Sequence, residues 1–224
     1  MRLDLIIPVF RDSVALARLL ESRRLDDLDA TVTVVFAEPD PEGESLVERH
    51  GASWLRAERP GRAQQMNHAA DCVSGDGLLF LHADTLPPEG ALDAIRQAIA
   101  AGAVGGAFAR RFDSPSRWLK ISARLADWRG RAFGVFLGDQ GIFVRREVFE
   151  HLGGFDESAR YEDLDFSLRL RKTGRTALLE PPVLSSARRF AAKGVLRQTL
   201  GDFVAGFSFV CAHRRTAEKE TDSE

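Results

Sequence analysis

Leu78-Leu79-Phe80-Leu81-His82-Ala83-Asp84-Thr85 sets four apolar residues directly before a compact polar cluster. The apolar run suits a strand buried on both faces of a parallel sheet, and such sheets bind ligands beyond the carboxyl ends of their strands. His82 and Asp84 stand two apart, so both can project toward one crevice there. An Asp fixed in this way can ligate Mg²⁺ or Mn²⁺, which favour oxygen ligands. A plainer reading makes the cluster a surface turn, with Asp84 capping a helix that starts at Pro87.

On either side of this stretch, strand-like runs alternate with helical periodicity, the pattern of an α/β fold whose mostly parallel sheet is flanked by helices. Residues 3–10 read as the first strand, and Asp12 or Ser13 can cap a helix that puts Val14, Ala17 and Leu20 on one face. Residues 31–36, rich in β-branched side chains, form a second strand; the prolines in 37–43 predict a loop, and 53–57 a short third strand. A helix is expected from Pro60 to about Val73, another over 88–101, a strand within 102–112 and an amphipathic helix over 117–131. Residues 138–145 look like strand, 162–172 like helix and 176–179 like a short strand. A single domain over 1–215 results, ending in an amphipathic helix at 195–215 and a polar tail at 216–224.

The 224 residues carry 31 basic and 33 acidic side chains, a net charge of −2 that offers no global field for nucleic acid or an anionic membrane. Any phosphate recognition must be local, and nucleic acid is not an expected partner. Cys72 and Cys211 suggest neither a disulfide framework nor a zinc site; they read as buried or inert thiols in a reducing compartment. The N-terminus lacks the features of a signal peptide, so a cytoplasmic location is expected. The apolar run at 203–212 is about half of what a spanning helix needs. Leu196, Leu200, Phe203, Phe207 and Val210 form a stripe that suits core packing or a homodimer seam. With Arg197, Arg214 and Arg215 nearby, the stripe also suits peripheral association at the inner membrane face with a lipid-linked acceptor.

Three further clusters can carry chemistry. Arg62 and Asn67, near a helix start after Gly61, can meet an anionic diphosphate through the guanidinium and free backbone N–H groups, or simply form an exposed helix start. Gly138-Asp139-Gln140-Gly141 puts an acid and an amide beside flexible glycines, able to approach a polar ligand or to satisfy a local turn. After Gly153-Gly154-Phe155-Asp156, the run Tyr161-Glu162-Asp163-Leu164-Asp165 concentrates acids at a helix start. Glu162 and Asp165 would share a helical face while Asp163 points elsewhere. These acids can stabilise the helix dipole, or one can take a proton from an acceptor hydroxyl.

Together, in this order, the motifs resemble glycosyltransferase family 2 with the GT-A fold, in particular a short bacterial branch associated with radical-SAM and selenium-related domains. The resemblance spans roughly residues 3–201. It rests on Ile6-Ile7-Pro8-Val9, Gly61-Arg62-Ala63 through Asn67, Leu81-His82-Ala83-Asp84-Thr85, Gly138-Asp139-Gln140, Gly153-Gly154-Phe155, Glu162-Asp163 and Ser186-Ala187-Arg188-Arg189-Phe190. It implies a metal ligand at Asp84, with His82 replacing an acid that contacts the nucleotide, and a general base at Asp163. Donor contacts are implied at Pro8, Glu38, Gly61, Arg62, Asn67, His82, Asp139, Gln140, Arg188 and Arg189. Two departures stand out: Arg11-Asp12 replaces the family's common Asn-Glu, and Ala37 stands at the usual base-holding Asp, with Glu38 one place later.

The resemblance implies a metal-dependent transferase using Mg²⁺ or Mn²⁺ to move a sugar, with inversion, from a UDP- or GDP-linked donor to an acceptor hydroxyl. Two other readings compete with it. Nucleotidyl transfer on a related scaffold would also need a metal-held diphosphate, but Phe10-Arg11-Asp12-Ser13 is no glycine-rich phosphate loop. The altered turn after the second strand favours a catalytically silent nucleotide-binding or scaffold protein.

Overall fold

A computed structural model describes residues 1–188 except 23, 26–28 and 60. Arg189, Cys211, the terminal helix and the polar tail therefore lie outside the described residues. Eight strands form one sheet: β1 (Leu3–Val9), β2 (Ala30–Phe36), β3 (Ser53–Arg56), β4 (Gly77–Phe80), β5 (Thr85–Leu86), β6 (Gly105–Phe112), β7 (Ile142–Arg145) and β8 (Thr176–Ser185). Their order is β3-β2-β1-β4-β7-β6-β8-β5. Pairing is parallel for β1 with β2 and β4, β2 with β3, and β6 with β8. It is antiparallel where β7 enters between β4 and β6, and where β5 meets β8. The sheet is thus mixed, with its parallel half at the N-terminal side.

Strand periodicity divides the core between the two faces. Leu3, Leu5, Ile7 and Val9 of β1 pack with α1 (Ser13–Glu21), α2 (Pro41–Arg49) and α4 (Ala91–Ala100). Ile6, Leu78 and Phe80 pack on the opposite face with α3 (Arg62–Cys72), α6 (Arg146–His151) and α7 (Glu162–Thr173). The remaining helix, α5 (Arg117–Phe133), lies against β6 and β8. On the α3 side, the rings of Phe80, Phe149, Phe155 and Phe166 cluster with centroids 4.5–5.6 Å apart between Phe155 and Phe166, Phe80 and Phe155, and Phe149 and Phe166.

Several expectations need correction. The segment at 37–43 is no simple loop: Asp40 accepts from the Gly43 N–H at 3.0 Å and Pro41 opens α2, because proline at the first helical position loses no intrahelical hydrogen bond. Residues 138–140 form a 3₁₀ turn rather than strand, since Gly141, at φ 67°, breaks the extended path before β7. The expected short strand at 176–179 continues to Ser185, with Pro181 and Pro182 accommodated at a register shift opposite β6. Asp84 does not cap the helix that follows, which begins at Ala91 after Gly90. Cys72 is exposed rather than buried.

Gly106 shows how closely β6 and β8 approach, because a Cβ there would overlap the backbone carbonyl of Ala177. Gly106→Ala is expected to destabilise the fold by about 3 kcal/mol, read as a lower urea midpoint. An unchanged midpoint would contradict this packing.

Candidate functional site

The strand order places β1 between β2 and β4, with the chain leaving to opposite sides, so the crevice of the sheet lies beyond the ends of β1 and β4. A cavity of about 450 Å³ occupies it. Pro8 and Phe10 come from the end of β1, Gly61, Arg62 and Gln65 from the start of α3, and His82 and Asp84 from the turn after β4. Gln65 fixes the floor: its Nε2 donates to the carbonyls of Val9 at 2.9 Å and Val35 at 2.6 Å, tying α3 to the ends of β1 and β2. The turn after β4 is held by Leu81 N–H donating to Ile6 O and Thr85 N–H donating to His82 O, both at 3.0 Å.

Arg62, the first residue of α3, joins this cavity to a second group of acids. Its Nε donates to Glu162, its Nη2 lies 3.7 Å from Asp163 Oδ2, and its Nη1 lies 3.1 Å from His82 Nε2. Because a guanidinium only donates, His82 Nε2 must accept, which assigns the ring proton to Nδ1. Glu162 and Asp163 therefore meet one partner, despite the helical-face argument that separated them. The guanidinium is wide enough to span the first turn, while Asp165 turns to Arg169 at 2.7 Å. Burial works against the Arg62 charge, but Asp163 and then Glu162 outweigh it and raise its pKa.

Asp163 accepts from Gly138 N–H at 2.8 Å through Oδ2 and from Leu164 N–H at 2.9 Å through Oδ1. Burial still dominates and pushes its carboxyl above the usual Asp range, with Arg62 opposing the shift. Asp139, one residue beyond Gly138, behaves oppositely. Burial would raise its pKa too, but the Arg110 guanidinium holds it below the ordinary value. Arg110 is buried on β6, bonded to Asp139 and anchored through its N–H to Asp127 Oδ1 of α5 at 3.1 Å. Asp139 Oδ1 and Arg110 Nε have no hydrogen-bond partner among the described residues.

The other expected donor residues separate. Asn67 does not enter the cavity: it lies in mid-helix, and its amide forms a two-way bond with the Phe155 backbone, both contacts at 2.9 Å. Gln140 is fully buried, accepting from Leu137 N–H at 3.1 Å and donating to Phe108 O at 3.1 Å, so it holds the turn rather than reaching a ligand. Glu38 lies outside the cavity wall and forms a two-point pair with Arg11 at 2.9 Å. Arg188 bridges to Asp12, at the cavity rim, at 3.0 and 3.2 Å. Reasoning from sequence overlooked Phe10, Gln65, Arg110 and Asp127. Arg110-Arg111 interrupting an apolar strand was the visible signal for the buried pair, whereas the partners of Gln65 are backbone carbonyls that leave no mark in sequence.

Asp84 is the only carboxylate that the turn after β4 brings to the cavity, and it also borders a smaller recess beside Arg188. Among the described residues, no group of three or more His, Cys, Asp and Glu side chains is placed to share an ion. One hard oxygen ligand at an open crevice fits Mg²⁺ or Mn²⁺ completed by water and ligand phosphate oxygens, rather than an all-protein cage.

A doubly wound half-sheet with a carboxylate at its switch point is the arrangement in which open α/β sheets place their ligand crevices. The family model for glycosyl transferase family 2 matches residues 4–153, and the chain belongs to that family. No curated protein sequence matches the chain. Among solved structures it is similar to a mannosyltransferase from Pyrobaculum calidifontis in complex with GDP-Man and Mn²⁺, with TM-score 0.67 and 20% identity, over 91% of this chain and 64% of that one. It is also similar to glucosyl-3-phosphoglycerate synthase from Mycobacterium tuberculosis in complex with phosphoglyceric acid, with TM-score 0.59 and 15% identity, over 92% and 79% of the two chains. A third is S. aureus TarS, with TM-score 0.64 and 16% identity, over 89% of this chain and 39% of that one. These likenesses establish the GT-A fold.

Asp139→Asn should remove the charge that pairs with Arg110 and lower stability at pH 7 by about 3 kcal/mol. The sign follows from the lowered folded-state pKa: the contribution is present above the ordinary value of 3.8 and is lost as pH falls through the folded value. Thermal melts of both proteins should therefore converge below that pH. A gap that persists in acid would assign the effect to packing.

Proposed function

We propose that the chain transfers a glycosyl group from a nucleoside-diphosphate sugar to an acceptor hydroxyl, with inversion at the anomeric carbon. The observation that supports this reading best is the Arg62 junction, which links the Asp84 crevice to a buried carboxylate of raised pKa. In this reading the diphosphate lies over Gly61 and Arg62 at the start of α3, where free N–H groups favour anions. Asp84 is the residue that would hold Mg²⁺ or Mn²⁺. When bound, the ion neutralises charge that develops on the leaving diphosphate.

Pro8 and the exposed ring of Phe10 form the cavity lip against which a base would pack. His82, accepting from Arg62, keeps that guanidinium oriented toward the crevice. Asp163 takes the proton of the acceptor hydroxyl as its oxygen bonds to the anomeric carbon. The bond from that carbon to the diphosphate breaks, and nucleoside diphosphate departs toward Arg62 and Arg188, with Arg189 following in sequence. A raised pKa suits this base, because proton transfer is most efficient when the pKa approaches the working pH. Among the described residues no helix is long and apolar enough to cross a membrane. The exposed thiol of Cys72 accords with a reducing cytoplasm as the place of action.

Calorimetry with UDP and GDP, each with and without Mn²⁺, tests the donor site. Metal-dependent binding of one nucleotide is expected, weakened at least about tenfold by Asp84→Ala; no binding under any condition would overturn the reading. Asp163→Asn should lower kcat by about 10²–10⁴-fold while leaving nucleotide affinity within about twofold. The acid limb of kcat/KM should lie above the ordinary Asp value of 3.8. An Asp163→Asn enzyme of undiminished kcat would remove this residue as base.

A further inference from the structure

The outer surface of α5 has no part in the proposed chemistry, yet its composition is one-sided. Trp118, Ile121, Leu125, Trp128 and Phe133 are each at least 40% exposed. The exposed polar side chains of the helix, Arg117, Lys120, Arg124 and Arg131, are all cationic, and its one acid, Asp127, is buried beneath them. At about 100° per residue, the five apolar side chains fan over roughly 140° and the four cations fall together in the adjacent roughly 60°. Only Arg131 of the four has a carboxylate partner among the described residues, the exposed Glu180. Arg111, Arg124, Arg131 and Trp128 also border a surface cavity of about 410 Å³ over Asp127.

We propose that this face of α5 seats the protein on an anionic bilayer surface. Tryptophan and phenylalanine at the apolar edge, flanked by a strip of lysine and arginine, match the two layers of such a surface, acyl boundary and phosphate headgroups. The stripe from Trp118 to Phe133 runs about 22 Å along the helix, long enough to lie in the plane of the interface. Charge selects this occupant over a second copy of the chain. A two-fold contact would set the same patch against itself, bringing arginines toward arginines with no exposed acid of α5 to relieve them. The protein's net charge of −2 makes this local concentration of cations the feature able to choose an anionic surface. The inner side of the same helix anchors Arg110 and Arg111 through Asp127, so the bilayer face and the site share one rigid element. The inference does not depend on the transfer reading.

The test mixes the full chain with phosphatidylcholine vesicles, with or without phosphatidylglycerol, carrying brominated acyl chains that quench buried tryptophan. Trp54 is packed against Phe36 and bonded to Glu48, so Trp118 and Trp128 report the contact. Quenching is expected with phosphatidylglycerol vesicles, weakening about tenfold or more without the anionic lipid or in high salt. The double variant Ile121→Asp with Leu125→Asp should lose partitioning by about tenfold or more while keeping its Tm, because both side chains face outward. Absence of quenching in every vesicle overturns the proposal, as does vesicle binding that the double variant leaves intact. A fall in Tm, or a dimer mass that the double variant halves, would overturn it by showing the face covered by the chain itself or by a second copy.

Discussion

The arrangement of the site depends on one shared guanidinium. Arg62 takes the carboxylate of Glu162, the nearer oxygen of Asp163 and the ring of His82, and these groups come from two segments, the start of α7 and the turn after β4, that are distant in sequence from Arg62 and from each other. Remove that cation and two buried acids would face each other at the start of α7 beside the dipole of a single helix turn. The fold prepares the junction from beneath. Asn67 grips the backbone of Phe155, Arg169 donates to the carbonyls of Leu152 and Gly154, and the phenylalanine cluster fills the space under them. The two glycines before Phe155 adopt φ of 70° and 71°, which lets the chain turn sharply enough for α7 to begin beside α3.

Asp163 and Asp139 lie either side of the same turn and answer burial in opposite ways. Asp139 is matched by the buried charge of Arg110, so its ionised form is favoured. Asp163 must share Arg62 with Glu162, and burial prevails. Two nearby carboxylates thus hold divergent proton affinities, set by how much cationic charge each one shares. Gly138 permits this closeness: a Cβ there would come within 2.6 Å of His82 Nε2 and 3.4 Å of Asp163 Oδ2.

What sequence could show followed from how local the signal was. The run at 78–85 disclosed a buried strand and the emergence of His82 and Asp84 at its end, because apolar continuity and spacing suffice for that inference. The alternation in β1 and β2 was equally plain. The helix at Pro41 hid behind its own start signal, since Asp40-Pro41 serves a turn as readily as a helix N-terminus. Asn67 and Gln140 looked like ligand contacts because an amide has the same letter whether it faces a substrate or a backbone carbonyl. Arg110 escaped notice because the acid that makes its burial tolerable stands on a turn 29 residues away.

The order in which these parts appear along the chain also bears on how the protein is made. The crevice between β1 and β4 uses residues 8–84, which close upon one another through neighbouring strands and helices. The groups that meet Arg62 from α7 lie 100 residues further on. As a nascent chain leaves the ribosome, contacts of short sequence separation can form first and the long-range ones must wait. The residues that line the crevice are thus all present in the chain before the acids of α7 that meet Arg62 have been made. In that interval Arg62 lacks both Glu162 and Asp163, so its guanidinium stands at the young crevice without the two carboxylates that offset it in the finished fold.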